Sequence, residues 1–172
     1  MPPLQLDNAF WRFSLAVYAA PGVADQCLAL QRSHGIDVNL LLFAAWIGAE
    51  RGTALSQADM QRFAGAVEGW RQTVVVPLRN LRQAMKPLAE MQHAEAASLR
   101  QEIAASELRA EQIEQAMLFA AAAAADRPGG SDADRETLVR RNVRTLMQTY
   151  AQPDQAACER LIVAALSTRP AC

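Results

Sequence analysis

From Leu88 to about Ala125 the chain meets neither glycine nor proline, and alanine, glutamate, glutamine and leucine fill most of the stretch. These residues cost least in a helix and the two that break one are missing, so the pattern predicts one long helix around 88–125. A helix of that length draws its stability from neighbours, so other helices must flank it. The remaining sequence agrees. Of 172 residues 35 are alanine, whereas valine, isoleucine and threonine together number 21, which favours helix over sheet. The expectation is all-α, a bundle of about seven or eight helices. A Trp-rich helical bundle over 1–86 and a long-helix portion with C-terminal helices over 87–172 are expected to pack as one unit.

Helix punctuation sharpens this. Asp7 is expected to cap a helix carrying Phe10, Trp11, Phe13, Leu15 and Tyr18, which Pro21 and Gly22 end. Gly35 stands where a left-handed helix end is expected, Asp37 caps the apolar helix Val38 to Ala49, and Gly52 stops it. Ser56 and Asp59 have the spacing of a capping box. Pro77, which lacks an amide hydrogen, should kink or restart the helix through 70–86, and Pro87 should end it and fit the first turn of the next. Arg127 to Asp132 reads as a loop, followed by helices from about Ala133 to Tyr150 and beyond Pro153. Within the long helix Leu99, Ile103, Ser106, Ala110, Ile113, Met117 and Ala120 step by alternating fours and threes, a short heptad-like seam that suggests docking on neighbours or, less favoured, a homodimer through 99–120.

Charge narrows the function classes. Seventeen basic against 18 acidic residues leave −1, so long-range attraction to nucleic acid or to an anionic membrane is missing. The longest apolar tracts, Leu40 to Gly48 and Ala116 to Ala125, are about half a bilayer crossing, so no membrane span is expected, and the start lacks a secretory pattern. Cys27, Cys158 and Cys172 have no metal spacing and read as reduced thiols of a cytoplasmic protein. Nucleotide-loop, zinc-protease, nucleophile-elbow and Cys-x-x-Cys motifs are all missing, so no catalytic residue, cofactor or metal is assigned. Glu90 and His93 match a Glu-x-x-His element, but a di-iron bundle needs a second one and the sequence has none.

Phe10-Trp11-Arg12-Phe13-Ser14, Tyr18, Pro21-Gly22-Val23, Cys27-Leu28 and the block from His34 to Trp46 (HGIDVNLLLFAAW) make a recurrent pattern, continued by Trp70, Val74, Pro77-Leu78-Arg79, Leu81-Arg82 and Lys86-Pro87. It resembles an uncharacterised family of small proteobacterial proteins described only as a domain of unknown function. The resemblance spans 10–87 and implies a bacterial, cytoplasmic helical protein with no established activity.

Two constellations remain. Asp37 and Asn39 are most simply a helix cap and its neighbour; the sharper reading is a polar pocket where His34, Asp37 and Asn39 meet Trp11, Arg12, Tyr18 and Trp46. Trp11, Trp46 and Trp70 are otherwise core anchors. Arg71, Arg79, Arg82 and Lys86 form a basic stripe on one helix face, while the following helix is rich in glutamate. An antiparallel hairpin turning at Lys86 and Pro87 would set Arg79 near Glu95 and Arg71 near Glu102; otherwise the stripe offers a surface to an acidic partner or RNA. Arg135, Arg140, Arg141 and Arg144 read as a solvated face. The function expected first is a non-enzymatic adaptor or regulator that binds another protein. Alternatives are a small-molecule-binding protein or enzyme using the Trp11, Arg12, Asp37 and Asn39 pocket, and an RNA- or ribosome-associated factor using the arginine stripe; nucleic acid is not the favoured partner.

Overall fold

The computed structural model describes residues 3–90, 93–125, 133–150 and 155–168. The expected loop Arg127 to Asp132, Pro153 and Cys172 lie outside them. The described residues are helical and include no strand: α1 (Ala9–Tyr18), α2 (Val23–His34), α3 (Val38–Arg51), α4 (Gln57–Trp70), α5 (Val76–Ala84), α6 (Lys86–Glu90), α7 (Ala94–Ala124), α8 (Arg135–Met147) and α9 (Glu159–Ser167). No single helix among them is long and apolar enough to cross a membrane.

Most of the expected punctuation is in place. Ser56 and Asp59 close a reciprocal capping box on α4. The Asp37 carboxylate accepts from the Asn39 amide at 2.9 Å and opens α3. Gly35 and Gly52 follow α2 and α3 at φ of 65° and 57°, where a side chain would be strained. Asn8, not Asp7, caps α1: its side chain accepts from the Trp11 amide at 2.9 Å and donates to the Gln5 carbonyl at 2.8 Å. Asp7 remains exposed and pairs with Arg12. Asn can satisfy a donor and an acceptor at once, which suits the fully buried position better than a carboxylate.

Pro77 acts as a restart. A wide π turn, Arg71–Val75, joins α4 to α5, and the Val76 amide bonds back to the Arg71 carbonyl five residues earlier. Pro77 then sits in the first turn of α5, where its missing N–H costs nothing.

The core is built around α3, buried continuously from Asn39 to Gly48. Phe10, Phe43, Trp46, Phe63 and Phe119 stack around it at centroid distances of 4.8 to 5.9 Å. Trp46 is thus a core anchor, as expected; Trp70 is half-buried and donates its indole N–H to the Ala110 carbonyl at 2.9 Å. Helix α8 crosses α3 so closely that a Cβ on Gly48 would lie 2.7 Å from the Val139 nitrogen. Two α8 side chains lock this crossing. Asn142 bonds the Leu55 amide and the Thr53 carbonyl, and Arg135 reaches the Ala49, Leu166 and Thr168 carbonyls and Glu50. Arg135 therefore serves as a shared cap for the ends of α3 and α9 rather than part of a solvated face. Arg140 pairs with Glu136 and Glu159 at the surface, and Arg141 is exposed.

The long helix α7 has 31 residues. Its buried side carries Glu107, Ala110, Glu114, Leu118 and Ala122, whereas Leu99, Ser106 and Ala120 of the expected seam are exposed. The apolar rule fails here because two glutamates lie on the buried face, each matched by partners described below. The hairpin register also differs from the expected one. The chain stays helical through α6 to Glu90, so Arg79 meets Glu107 and Glu111 instead of Glu95, and Arg71 meets Asp37 and Glu68 instead of Glu102.

Because the α3 and α8 backbones touch at Gly48, Gly48→Ala is expected to destabilise the protein by about 1–3 kcal/mol through overpacking. Urea unfolding at constant m-value reads this directly; an unchanged midpoint would show that the two helices do not meet there.

Candidate functional site

Helices α1, α2, α5 and α7, with the first turn of α3, enclose a cavity of about 310 Å³. Successive turns of α1 contribute Trp11, Ser14, Leu15 and Tyr18; α2 contributes Leu28, Gln31 and Arg32; α3 contributes Val38, Asn39 and Leu42. Across from them α5 presents Arg79, Arg82 and Gln83, and α7 presents Ala104, Glu107, Leu108, Glu111 and Gln115. An aromatic and aliphatic wall thus faces a charged one. This is the composition of a small-ligand site.

The charged wall is an ion-pair ladder. Arg79 donates from Nε to Glu107 at 3.0 Å and from Nη2 to Glu111 at 2.6 Å, and Arg82 donates to both oxygens of Glu107. With the Gln31 amide turned over, so that its oxygen faces the guanidinium, it accepts from Arg79 Nη1 at 2.7 Å. Burial alone would raise the Glu107 carboxyl, but the hydrogen bonds from Arg82 and Arg79 outweigh it and hold the group below the ordinary carboxylate range. Glu111 goes the other way: desolvation exceeds the pull of Arg79, and the neighbouring Glu107 and Asp37 charges raise it further.

Behind the cavity lies a buried polar chain. Glu114, fully buried on α7, hydrogen-bonds Asp37 and accepts from Asn39 Nδ2 at 3.0 Å. Asn39 Oδ1 in turn accepts from Gln115 Nε2 at 2.9 Å. Arg71 Nε stands 3.1 Å from Asp37 Oδ2, and the Asp37 amide donates to the Tyr150 hydroxyl at 3.4 Å. Burial, followed by the Asp37 charge, pushes the Glu114 carboxyl up to about 9, so at neutral pH it is protonated and donates to Asp37. Two residues lining the cavity, Ser14 and Gln115, are each only 3% exposed and leave Ser14 Oγ and Gln115 Oε1 without a hydrogen-bond partner. Such orphans are uncommon in a native interior.

Of the residues expected in a pocket, the structure brings Trp11, Tyr18 and Asn39 together in the cavity. Asp37 lies one layer behind, Trp46 is in the core, Arg12 is exposed and paired with Asp7, and His34 is exposed at the end of α2. The stripe divides likewise. Arg79 and Arg82 line the cavity, Arg71 turns inward to Asp37, and Lys86 is exposed. Asn39 reaches two side chains of α7 rather than a backbone group. A search for apolar periodicity misses Glu107, Glu111, Glu114 and Gln115, yet their spacing of i, i+4, i+7 and i+8 marks one polar face of a helix and is visible in the sequence.

Among the described residues no group of three His, Cys, Asp or Glu side chains could hold a metal ion. His93 is exposed at the start of α7, and the Glu90 side chain lies outside the described residues. Cys27 and Cys158 are buried free thiols, pushed up to about 12 by burial, and are poor nucleophiles.

The raised Glu114 group has a definite sign. The native state keeps a proton that the unfolded chain loses above its ordinary 4.5, so stability should fall as pH rises from about 4.5 towards about 9. Glu114→Gln, which preserves a donor towards Asp37, is expected to flatten this decline and to be more stable than the wild type at pH 9. Guanidinium unfolding midpoints at pH 6 and 9 decide it; parallel declines in both proteins would place the proton elsewhere.

No curated protein and no solved structure matches the chain. A family model does match, over residues 9–118, a span that runs from α1 into α7 and contains every residue lining the cavity. The chain therefore belongs to the family described as protein of unknown function (DUF2390).

Proposed function

We propose that this chain is a small-molecule-binding protein whose site is the cavity between α1, α2, α5 and α7. The observation that carries the reading is the cavity of about 310 Å³ itself, in which Trp11 and Tyr18 face an ion-pair ladder whose side chains are already fixed. The volume falls within the range of known ligand pockets, roughly 300–1,000 Å³. Binding is favoured over reaction because both lining carboxylates are tied to arginines.

A second reading, a helical protein partner, draws on Leu15, Leu28 and Leu108, which line the same cavity while 50%, 39% and 53% exposed. A cluster of exposed leucines is a surface that a partner helix would cover.

Ala104→Trp should fill the cavity from α7. Thermal shifts with a fragment set of neutral, anionic and cationic aromatics are expected to raise the wild-type Tm by about 2–4 °C per kcal/mol of binding and to leave Ala104→Trp unmoved. A set that shifts neither protein, or both equally, rejects the site. Leu15→Glu with Leu108→Glu charges the rim alone, so fragment binding should survive it; binding lost there but retained in Ala104→Trp favours the rim and a protein partner.

A further inference from the structure

Helix α7 has a second face. Its cavity-lining residues, Ala104, Glu107, Leu108, Glu111 and Gln115, share one side of the helix, and at 3.6 residues per turn Glu102, Ser106, Arg109 and Ile113 fall on the opposite side. There Glu102, Ala105, Ser106 and Arg109 are exposed, and Leu99 on the flank is 49% exposed. Trp70, Val74 and Leu78 border the same flank and, with Ala110 and Ile113, line a shallow apolar groove of about 390 Å³. An exposed leucine and an apolar groove thus lie along one edge of the helix, about three turns apart.

The charges of this face are arranged about a centre. The Glu102 side chain has no ion pair or hydrogen bond among the described residues, and Arg109 donates to the neutral side chain of Gln112 at 2.9 Å. One heptad separates the acid from the base, about 10 Å along the axis, too far for them to pair with each other. Midway between them stand Ala105 and Ser106, whose small side chains let a second helix approach closely. An antiparallel copy of α7, turned about a two-fold axis between Ala105 and Ser106, sets Glu102 of each copy level with Arg109 of the other. The same rotation sets Leu99 level with Gln112, beside the Trp70 and Ile113 end of the other copy's groove, because leucine and groove share one flank.

We infer that a second copy of this chain docks on this face, α7 antiparallel to α7, crossing at Ala105 and Ser106 with two reciprocal Glu102 to Arg109 ion pairs and two reciprocal Leu99 contacts. A two-fold contact repeats each favourable pairing and each mismatch. A face with an acid and a base at equal distances from a small-residue centre is therefore complementary to itself, whereas a uniformly acidic or basic partner would set one of the two charges against its like. The contact lies on the side of α7 away from the cavity, so it stands or falls independently of ligand binding there.

Sedimentation equilibrium between about 1 and 200 µM is expected to show the wild-type mass rising towards twice that of the chain. Arg109→Glu and Glu102→Arg each place like charges together twice and should each weaken the dimer by about tenfold or more. The double variant, Glu102→Arg with Arg109→Glu, exchanges the signs and should restore the wild-type constant to within about threefold. Both positions are exposed, so the helicity seen by circular dichroism should be the same in all four proteins. Leu108→Glu, on the cavity side of α7, should leave the dimer constant unchanged. A wild type that stays monomeric at the highest concentration, a double variant no tighter than the single ones, or a dimer lost in Leu108→Glu overturns the inference.

Discussion

A protonated carboxyl held against a carboxylate organises this molecule. Asp37 and Glu114 come from α3 and α7, 77 positions apart in the chain, and neither could be buried as a bare charge. Their proximity is tolerable because one keeps its proton and the other is neutralised by Arg71. Each group also has a second structural duty. Asp37 caps α3, Arg71 opens the π turn between α4 and α5, Tyr150 follows α8, and Asn39 passes the hydrogen bonding on to α7. A single polar cluster therefore sets the relative positions of α3, the α4–α5 junction, α7 and the end of α8. Apolar packing alone specifies such positions less sharply, since leucine and phenylalanine contacts tolerate small slides.

The same cluster explains why the neighbouring cavity has a defined polarity. With Glu114 holding Asn39 and Asn39 holding Gln115, the Gln115 carboxamide is fixed by two buried groups. The ion-pair ladder of Arg79, Arg82, Glu107 and Glu111 fixes the opposite wall in a similar manner, and its members are partly shielded from water, where such pairs count for more than at an open surface. Both walls are thus set by the packing of the helices themselves, so the proposed ligand site would need little ordering on binding.

Local signals in the sequence carried much of the architecture. The alanine-rich, proline-free stretch announces α7, and the capping box at Ser56, the Asp37 cap and the glycines after α2 and α3 mark boundaries that depend only on a few neighbouring residues. The errors have one origin. A heptad seam assumes that the buried face of a helix is apolar, and α7 buries Glu107 and Glu114 instead. The expected hairpin register assumes that the chain turns back at Lys86 and Pro87, whereas Pro87, in the first turn of a new helix as expected, opens α6 and the chain stays helical to Glu90 before α7 begins. In both cases a long-range partner or a residue's place within the turn overrode the pattern. The candidate pocket was half legible: Trp11, Tyr18 and Asn39 converge, but Arg12 lies on another side of α1, His34 is exposed at the end of α2, and Trp46 sits two turns beyond Asn39 along α3, in the core.

What the amino-acid order determined by itself is the set of helices, their caps and the pool of polar groups on α3, α5 and α7, because those follow from contacts within a turn or two. Tertiary structure alone decided which arginine meets which glutamate, that a carboxyl at position 114 keeps its proton, and that Trp11, Tyr18, Arg79 and Glu111 converge on a common cavity. The reason is physical. Burial and charge pairing depend on distance through space and on exclusion of water, and neither exists until the helices have packed.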